Sequence, residues 1–270
     1  MALSASSSSA RSGLLSLEGI ELSFRGVKAI SNLGFSVGRG EICALIGPNG
    51  AGKSSLLNVI SGVYVPQRGR IVFDGRTISR MSPRDAARAG IARTFQNIAL
   101  FKGMTVLENI MTGRHLSRRG GFWGDLLRTP RAAAEEGAAR ESAEDVLALL
   151  RIQRYRATPV GRLPYGLQKR VELGRALAAR PKLLLLDEPM AGMTHDEKAD
   201  MTRFVREAHR HMGSTVILIE HDIGVVMNLS HHVVVLDYGR KIADGTPGEV
   251  CVDPAVITAY LGRPHKEDVA

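Results

Sequence analysis

Residues Glu41-Ile42-Cys43-Ala44-Leu45-Ile46-Gly47-Pro48-Asn49-Gly50-Ala51-Gly52-Lys53-Ser54 decide the fold, because an apolar run passes without interruption into a glycine-rich loop that closes on Lys-Ser. A buried strand, a tight turn and a helix opening at Lys53 would aim successive backbone N–H groups at an anion. Glycines let the chain wrap closely, with no Cβ between backbone and ligand. The expected contacts to a nucleotide's phosphates come from Asn49, Gly50, Gly52, Lys53, Ser54 and Ser55. Lys53 would reach the β- and γ-phosphates, and the Ser54 hydroxyl would hold Mg²⁺.

A second segment answers the first. Leu183-Leu184-Leu185-Leu186-Asp187-Glu188 reads as a buried strand ending in two carboxylates. Phosphoryl transfer to water needs a metal opposite the phosphates and a group that orients or deprotonates the water. Asp187 suits the metal and Glu188 the water. Both segments are expected on neighbouring parallel strands, meeting at the carboxyl edge of the sheet. His221 follows the apolar run Val216–Glu220 and belongs to the same edge, either bonding the γ-phosphate or capping the next helix. Gln96, after Ile91–Phe95, is a further candidate for the metal or its water.

Alternation of apolar runs with helical stretches predicts an α/β fold. Leu14–Phe24 reads as one or two edge strands of a small sheet, and Ile30–Val37, Glu41–Ile46, Arg70–Asp74, Lys182–Asp187, Thr215–Glu220, Val233–Asp237 and Lys241–Ala243 as further strands. Continuous apolar runs suit a parallel sheet covered on both faces. Ser82-Pro83 opens one helix, and Thr105 with Glu108 has capping-box spacing for another. Helical periodicity dominates 97–178, with helices over Arg131–Leu150 and Leu167–Ala179, which predicts an inserted helical subdomain. The expected core is then 13–96 and 179–250, preceded by a disordered tail over 1–12 and followed by a C-terminal helix and tail over 251–270.

Composition narrows the class. At 270 residues the chain can bury a large core, and its 5% aromatics and 29 glycines suit short-looped α/β architecture. Two cysteines, Cys43 and Cys251, give no disulfide framework or metal spacing. No run reaches the apolar length of a membrane span, and Met1–Ser9 lacks the charged flank of a secretory signal. The net charge of +9 draws on Arg114, Arg118, Arg119, Arg128, Arg131 and Arg151–Arg156. Such a surface suits nucleic acid, an anionic membrane face or plain solvation, and no nucleic-acid module accompanies it.

Taken in order, the phosphate loop, Gln96, Leu163-Pro164-Tyr165-Gly166-Leu167-Gln168, Leu183–Glu188 and His221 resemble the nucleotide-binding subunit of an ABC transporter. Leu100–Ile110, Ala191-Gly192-Met193-Thr194 and Ile219-Glu220-His221-Asp222 are similar to the branched-chain amino acid importers. The resemblance covers nearly all of Leu14–Gly262. It implies a P-loop NTPase core of RecA-like type with a mostly parallel sheet, an N-terminal antiparallel β-subdomain and the inserted α-helical subdomain. It implies ATP and Mg²⁺ as ligands, Ser54, Gln96 and Asp187 at the metal, and Glu188, His221 and Gln96 in catalysis. Phe24 falls where the family stacks an aromatic on adenine. Tyr165 and Gly166 fall in the signature loop, which closes over ATP held by the opposite subunit.

The implied partners are a second ATPase subunit in a heterodimer, two transmembrane permeases whose coupling helix enters the groove beside 97–110, and a periplasmic binding protein. A homodimer in isolation is compatible, and no nucleic acid is expected. The implied place is the cytoplasmic side of the bacterial inner membrane. Related ATPases serve importers of urea or short amides, and more distant ones act on ribosomes or DNA. The sequence departs from the family's Leu-Ser-Gly-Gly-Gln: Pro164 replaces serine, Tyr165 the first glycine and Leu167 the glutamine. Pro164 offers neither hydroxyl nor N–H. Thr194 stands where an aspartate is usual and has capping-box spacing with Glu197. Both changes suggest asymmetric ATP sites.

Overall fold

A computed structural model describes residues 13–94, 98–114 and 130–261 of the chain. The expected tail over 1–12, Gln96 and the basic residues Arg118, Arg119 and Arg128 lie outside the described residues.

Two sheets form. The smaller is antiparallel in the order β2-β1-β4-β5, from β1 (Gly13–Phe24), β2 (Val27–Gly38), β4 (Arg68–Phe73) and β5 (Arg76–Ile78). The larger runs β10-β9-β3-β8-β7-β6, from β3 (Ile42–Ile46), β6 (Ile91–Arg93), β7 (Leu183–Asp187), β8 (Thr215–Ile219), β9 (His232–Asp237) and β10 (Arg240–Gly245). All of its neighbours pair in parallel except β9 with β10. That last pair is a hairpin whose two-residue turn, Tyr238-Gly239, has positive φ at both positions, the twist that matches flanking strands.

Strand alternation builds the core on both faces of this sheet. Leu183, Leu185, Ile217, Ile219, Val234 and Leu236 point to the side covered by β1, β2 and helix α1 (Lys53–Ile60). Their neighbours Leu184, Leu186, Val216 and Leu218 point to the opposite side. There they meet helices α3 (Val106–Thr112), α4 (Pro130–Leu149), α5 (Tyr165–Ala178) and α6 (His195–Met212). The helical block thus shares one apolar cluster with the sheet, including Val106, Val146, Val171 and Phe204. Each such fully buried side chain contributes about 1.5–3 kcal/mol of transfer free energy.

The remaining helices are α2 (Pro83–Ala89), α7 (Ile223–Leu229), α8 (Pro247–Cys251) and α9 (Pro254–Leu261). Capping boxes start α2 at Ser82, α3 at Thr105, α6 at Thr194 and α8 at Thr246. Helix α5 begins at Tyr165, two residues before the periodicity implies, with Pro164 at its N-cap and no side-chain cap. Proline is tolerated there because that N–H has no helical partner to lose. Strand β5 and the short α8 lack enough periodic residues to announce themselves in the sequence.

One expectation of placement fails. β3 and β7 are not neighbours, because β8 pairs with both and lies between them. A parallel connection can skip a position, and that choice is invisible in local sequence. Its consequence is chemical: the strand that leads into Glu220 and His221 is inserted between the strands that carry the phosphate loop and the carboxylates.

Candidate nucleotide site

The site lies at the carboxyl edge of the parallel strands. A cleft of about 290 Å³ is lined by Ala29, residues 49–55 and Glu188, so Lys53 and Glu188 face one cavity. Gly47 has φ 147°, and a Cβ there would stand 2.0 Å from the Leu236 carbonyl oxygen. Gly52 has φ 97°, and a Cβ would stand 2.6 Å from the Ala29 carbonyl oxygen. Glycine is required at both by backbone crowding, over and above the left-handed φ. The loop is tied down from outside, since Gly239 N–H donates to the Ala51 carbonyl at 3.0 Å and Ser31 N–H to the Gly239 carbonyl at 2.9 Å.

Within the loop, Lys53 is buried to 6% exposure and its Nζ donates to the Gly47 and Pro48 carbonyls at 2.7 and 2.9 Å. Burial pulls its pKa down, while Glu188 and Asp187 act in the opposite direction across the cleft. Asn49, Gly50 and Ser54 are exposed and Ser55 is half-buried. Phe24 lies at the end of β1, 42% exposed, edge-on to Tyr64 with ring centroids 5.0 Å apart.

Glu188 adopts φ 49°, left-handed backbone rare for a residue with a side chain. Its N–H donates to the Ile219 carbonyl at 3.0 Å and its carbonyl accepts from Ala191 N–H at 3.2 Å. Strain of this kind persists where surrounding bonds over-determine it, and it clusters at functional sites. The Glu188 carboxylate reaches His221, with Oε1 2.8 Å from Nε2. Between the two backbones sits Glu220, a residue the sequence reading did not select. It is 5% exposed, accepts from Met190 N–H at 3.0 Å and His221 N–H at 3.3 Å, and burial raises its pKa.

Asp187 is also deeply buried, with Arg93 as ion-pair partner at 2.8 Å. Its other oxygen, Oδ1, is buried with no hydrogen-bond partner among the described residues. A hard cation takes oxygen ligands, so an orphaned carboxylate oxygen beside the phosphate loop fits Mg²⁺.

The signature segment holds surprises of its own. Tyr165 hydroxyl donates to the Ala191 carbonyl at 3.1 Å, joining the start of α5 to the turn after Glu188. A Cβ on Gly166 would stand 2.2 Å from Glu197 Oε1. Glu197 forms the capping box with Thr194, accepting from Thr194 N–H at 3.0 Å. A second residue missed by sequence reasoning is Tyr260 of α9, whose phenol lies near the Gly47 backbone N–H. A lone tyrosine in a C-terminal helix carries no local signal for that contact.

The arrangement matches known proteins along most of its length. Residues 30–191 fit the family described as ABC transporter. The chain belongs to that family. Residues 240–266 also match the description branched-chain amino acid ATP-binding cassette transporter. Over 93% of its length the cassette is 37% identical to the high-affinity branched-chain amino acid transport ATP-binding protein BraF of Pseudomonas aeruginosa, covering 98% of that protein. It is 35% identical to LivG of Escherichia coli, which bears the same description, with 93% and 98% of the two chains covered. Its fold is that of a nucleotide-free ATP-binding cassette from an ABC transporter, at TM-score 0.80 and 33% identity over 93% of this chain and 100% of the other. The ADP conformation of an ATP-binding cassette superimposes at TM-score 0.80 with 34% identity, over 93% and 99%. The cassette is therefore a transport-coupled ATPase. Among the described residues no helix is long and apolar enough to cross a membrane.

Proposed function

We propose that this cassette hydrolyses ATP to drive import of branched-chain or other hydrophobic amino acids through partner permeases. The observation that carries the reading is the shared cleft of Lys53 and Glu188, backed by likeness to BraF and LivG along nearly the whole chain. Residues 49–55 cradle the phosphates at the N-terminus of α1, where backbone N–H groups are unpaired and the helix dipole is positive. Ser54 and Asp187 hold Mg²⁺, with Gln96 assigned to it from the sequence and its family resemblance. The metal neutralises charge on the phosphate oxygens.

Glu188 takes the water's proton or orients its lone pair, and the His221 ring holds that carboxylate in place. Phe24, exposed at the end of β1, is assigned to stack on the base. Tyr165 and Gly166, in the first turn of α5, close on ATP held by a second ATPase subunit.

A second surface supports the transporter reading. An apolar groove of about 580 Å³ lies between the core and the helical block, lined by Val63, Ala87, Ile91, Phe101, Gly113 and Pro181 among others. Phe101 is 57% exposed there. A permease coupling helix fits such a groove as an amphipathic helix fits any apolar cleft. Two permeases, a second ATPase and a periplasmic binding protein complete the assembly, with this cassette on the cytoplasmic side of the inner membrane.

Importers of urea or short amides use related ATPases, and an ATPase subunit does not contact the cargo. The test is reconstitution of the cassette with its co-purifying membrane subunits in vesicles, followed by ATP-driven uptake of leucine, urea and acetamide. Leucine uptake alone is expected. Uptake of urea or acetamide alone would move the assignment to that subgroup, and co-purification with RNA in place of membrane subunits would end it.

A further inference from the structure

Arg93 is the third residue of β6, the edge strand of the large sheet, and it reaches three residues on two other elements at once. One guanidinium nitrogen donates to Asp187 Oδ2 at 2.8 Å. Another donates to Asn58 Oδ1 at 2.6 Å and to Ser61 Oγ at 3.2 Å, both at the end of the helix that begins in the phosphate loop. The side chains of Arg93 and Asp187 are 10% and 3% exposed. Thr94, next in the chain, accepts from the Asp187 backbone N–H at 3.3 Å through its hydroxyl.

Two charges withdrawn from water this far are costly unless geometry and further bonds compensate. The planar guanidinium suits that task, since its donors lie in a fixed fork. The outcome is asymmetric for Asp187: Oδ2 is engaged, and Oδ1 is buried with no partner among the described residues.

We propose that Arg93 is a positioning residue for the metal site, fixing the Asp187 carboxylate so that one oxygen is spent on the guanidinium and the other is presented to Mg²⁺. Through Asn58 and Ser61 it sets that carboxylate at a constant offset from α1 and hence from Ser54. Partners of metal-bound carboxylates act in this way generally, orienting the ligand without touching the ion.

Arg93 has a second aspect. Together with Ala92 and Phe101 it lines the apolar groove. Whatever seats there bears on the side chain that holds Asp187, which gives groove occupancy a physical route to the metal site. This part rests on the docking reading above, and the first part does not.

The test compares the full chain with its Arg93→Lys and Arg93→Gln variants. Mn²⁺ serves as the probe, titrated in the presence of ADP and followed by electron paramagnetic resonance. ADP binding in EDTA and thermal unfolding are measured alongside. The expected result for Arg93→Gln is Mn²⁺ affinity weaker by about ten- to a hundredfold, the usual effect of losing such a partner. Metal-free ADP affinity is expected to change by less than about threefold, about 0.6 kcal/mol.

Arg93→Lys, which keeps the charge and loses the fork, carries the same test if the glutamine variant does not fold. Unchanged Mn²⁺ affinity in a folded variant overturns the proposal. So does an equal loss of ADP binding with and without metal, since that marks a merely structural role. Phe101→Ser separates the two readings. If it leaves stimulation of ATP hydrolysis by the membrane subunits intact while the Arg93 variants weaken Mn²⁺, the docking reading fails and the role of Arg93 toward Asp187 stands.

Discussion

His221 Nε2 lies 2.8 Å from Glu188 Oε1, so the side chain at the end of β8 holds the carboxylate at the end of β7. The bond exists because those strands are adjacent in register, with Asp187 opposite Ile219. Glu188→Gln is expected to lower ATP turnover by about 10²–10⁴-fold, the usual share of a general base. Nucleotide binding should persist, because the phosphate loop is untouched. Undiminished hydrolysis by the assembled transporter would remove Glu188 from that role.

Glu220 joins the backbone after Glu188 to the backbone of His221 through Met190 N–H and His221 N–H. Glu220→Ala leaves the buried Met190 N–H and the part-buried His221 N–H without that acceptor, at a cost of about 1–3 kcal/mol. Glu220→Gln keeps an acceptor oxygen and should recover at least half of that loss. Urea unfolding of the two variants checks the order, and equal stabilities would contradict it.

The pH dependence of stability has a separate seat, at the start of β3 and β9. His232 Nε2 lies 2.6 Å from Asp244 Oδ1, and Nδ1 faces Glu41 Oε1 at 3.3 Å without hydrogen-bond alignment. The Asp244 bond, then Cys43 and Glu41, push His232 up to about 12. The same bond pulls Asp244 down to about 2. A raised histidine stabilises fully below its unfolded pKa of about 6.5 and loses that contribution as pH climbs toward the folded value. The depressed aspartate stabilises above about 3.9 and loses its contribution as pH falls toward the folded value. Stability from this pair is therefore greatest between about pH 4 and 6.5. Denaturant unfolding from about pH 6 to 9 should show a decline that His232→Gln flattens. An identical slope in both proteins would exclude His232 as its source.

Helix α9 bears on the phosphate loop. Val256 packs with Ala44 and Ile46 of β3, and the Tyr260 phenol lies near the Gly47 N–H. Burial pushes the Tyr260 phenol up, with the Gly47 N–H acting against it. Tyr260→Phe keeps the ring and removes only the hydroxyl. If the hydroxyl places the Gly47 amide, nucleotide binding should weaken by up to about 1 kcal/mol, the most that one hydrogen bond supplies, with kcat little changed. Titration with a fluorescent nucleotide against steady-state hydrolysis separates the two, and an unchanged Kd would mean the contact is idle.

The basic surface is less free than its charge suggests. Arg114 donates to the Ala138 carbonyl at 2.9 Å, Arg156 pairs with Glu144, and Arg154 lies over the Tyr155 ring at 4.6 Å. Sequence shows where charge is, and folding decides how much of it is spent internally.

The amino-acid order alone determined the phosphate loop, the carboxylate pair at the end of an apolar strand, the helix start at Ser82 and the capping boxes at Thr105 and Thr194. Those features are local: a glycine turn, a run of buried residues or a hydroxyl three positions from an acid acts within a few residues of itself. Only the tertiary structure decided that β8 stands between β3 and β7, that Arg93 holds Asp187, that Glu220 bridges two backbones and that Tyr260 reaches Gly47. Each of those contacts joins segments far apart in sequence, or is fixed by strand order. They depend on which surfaces pack, and no local pattern encodes that choice.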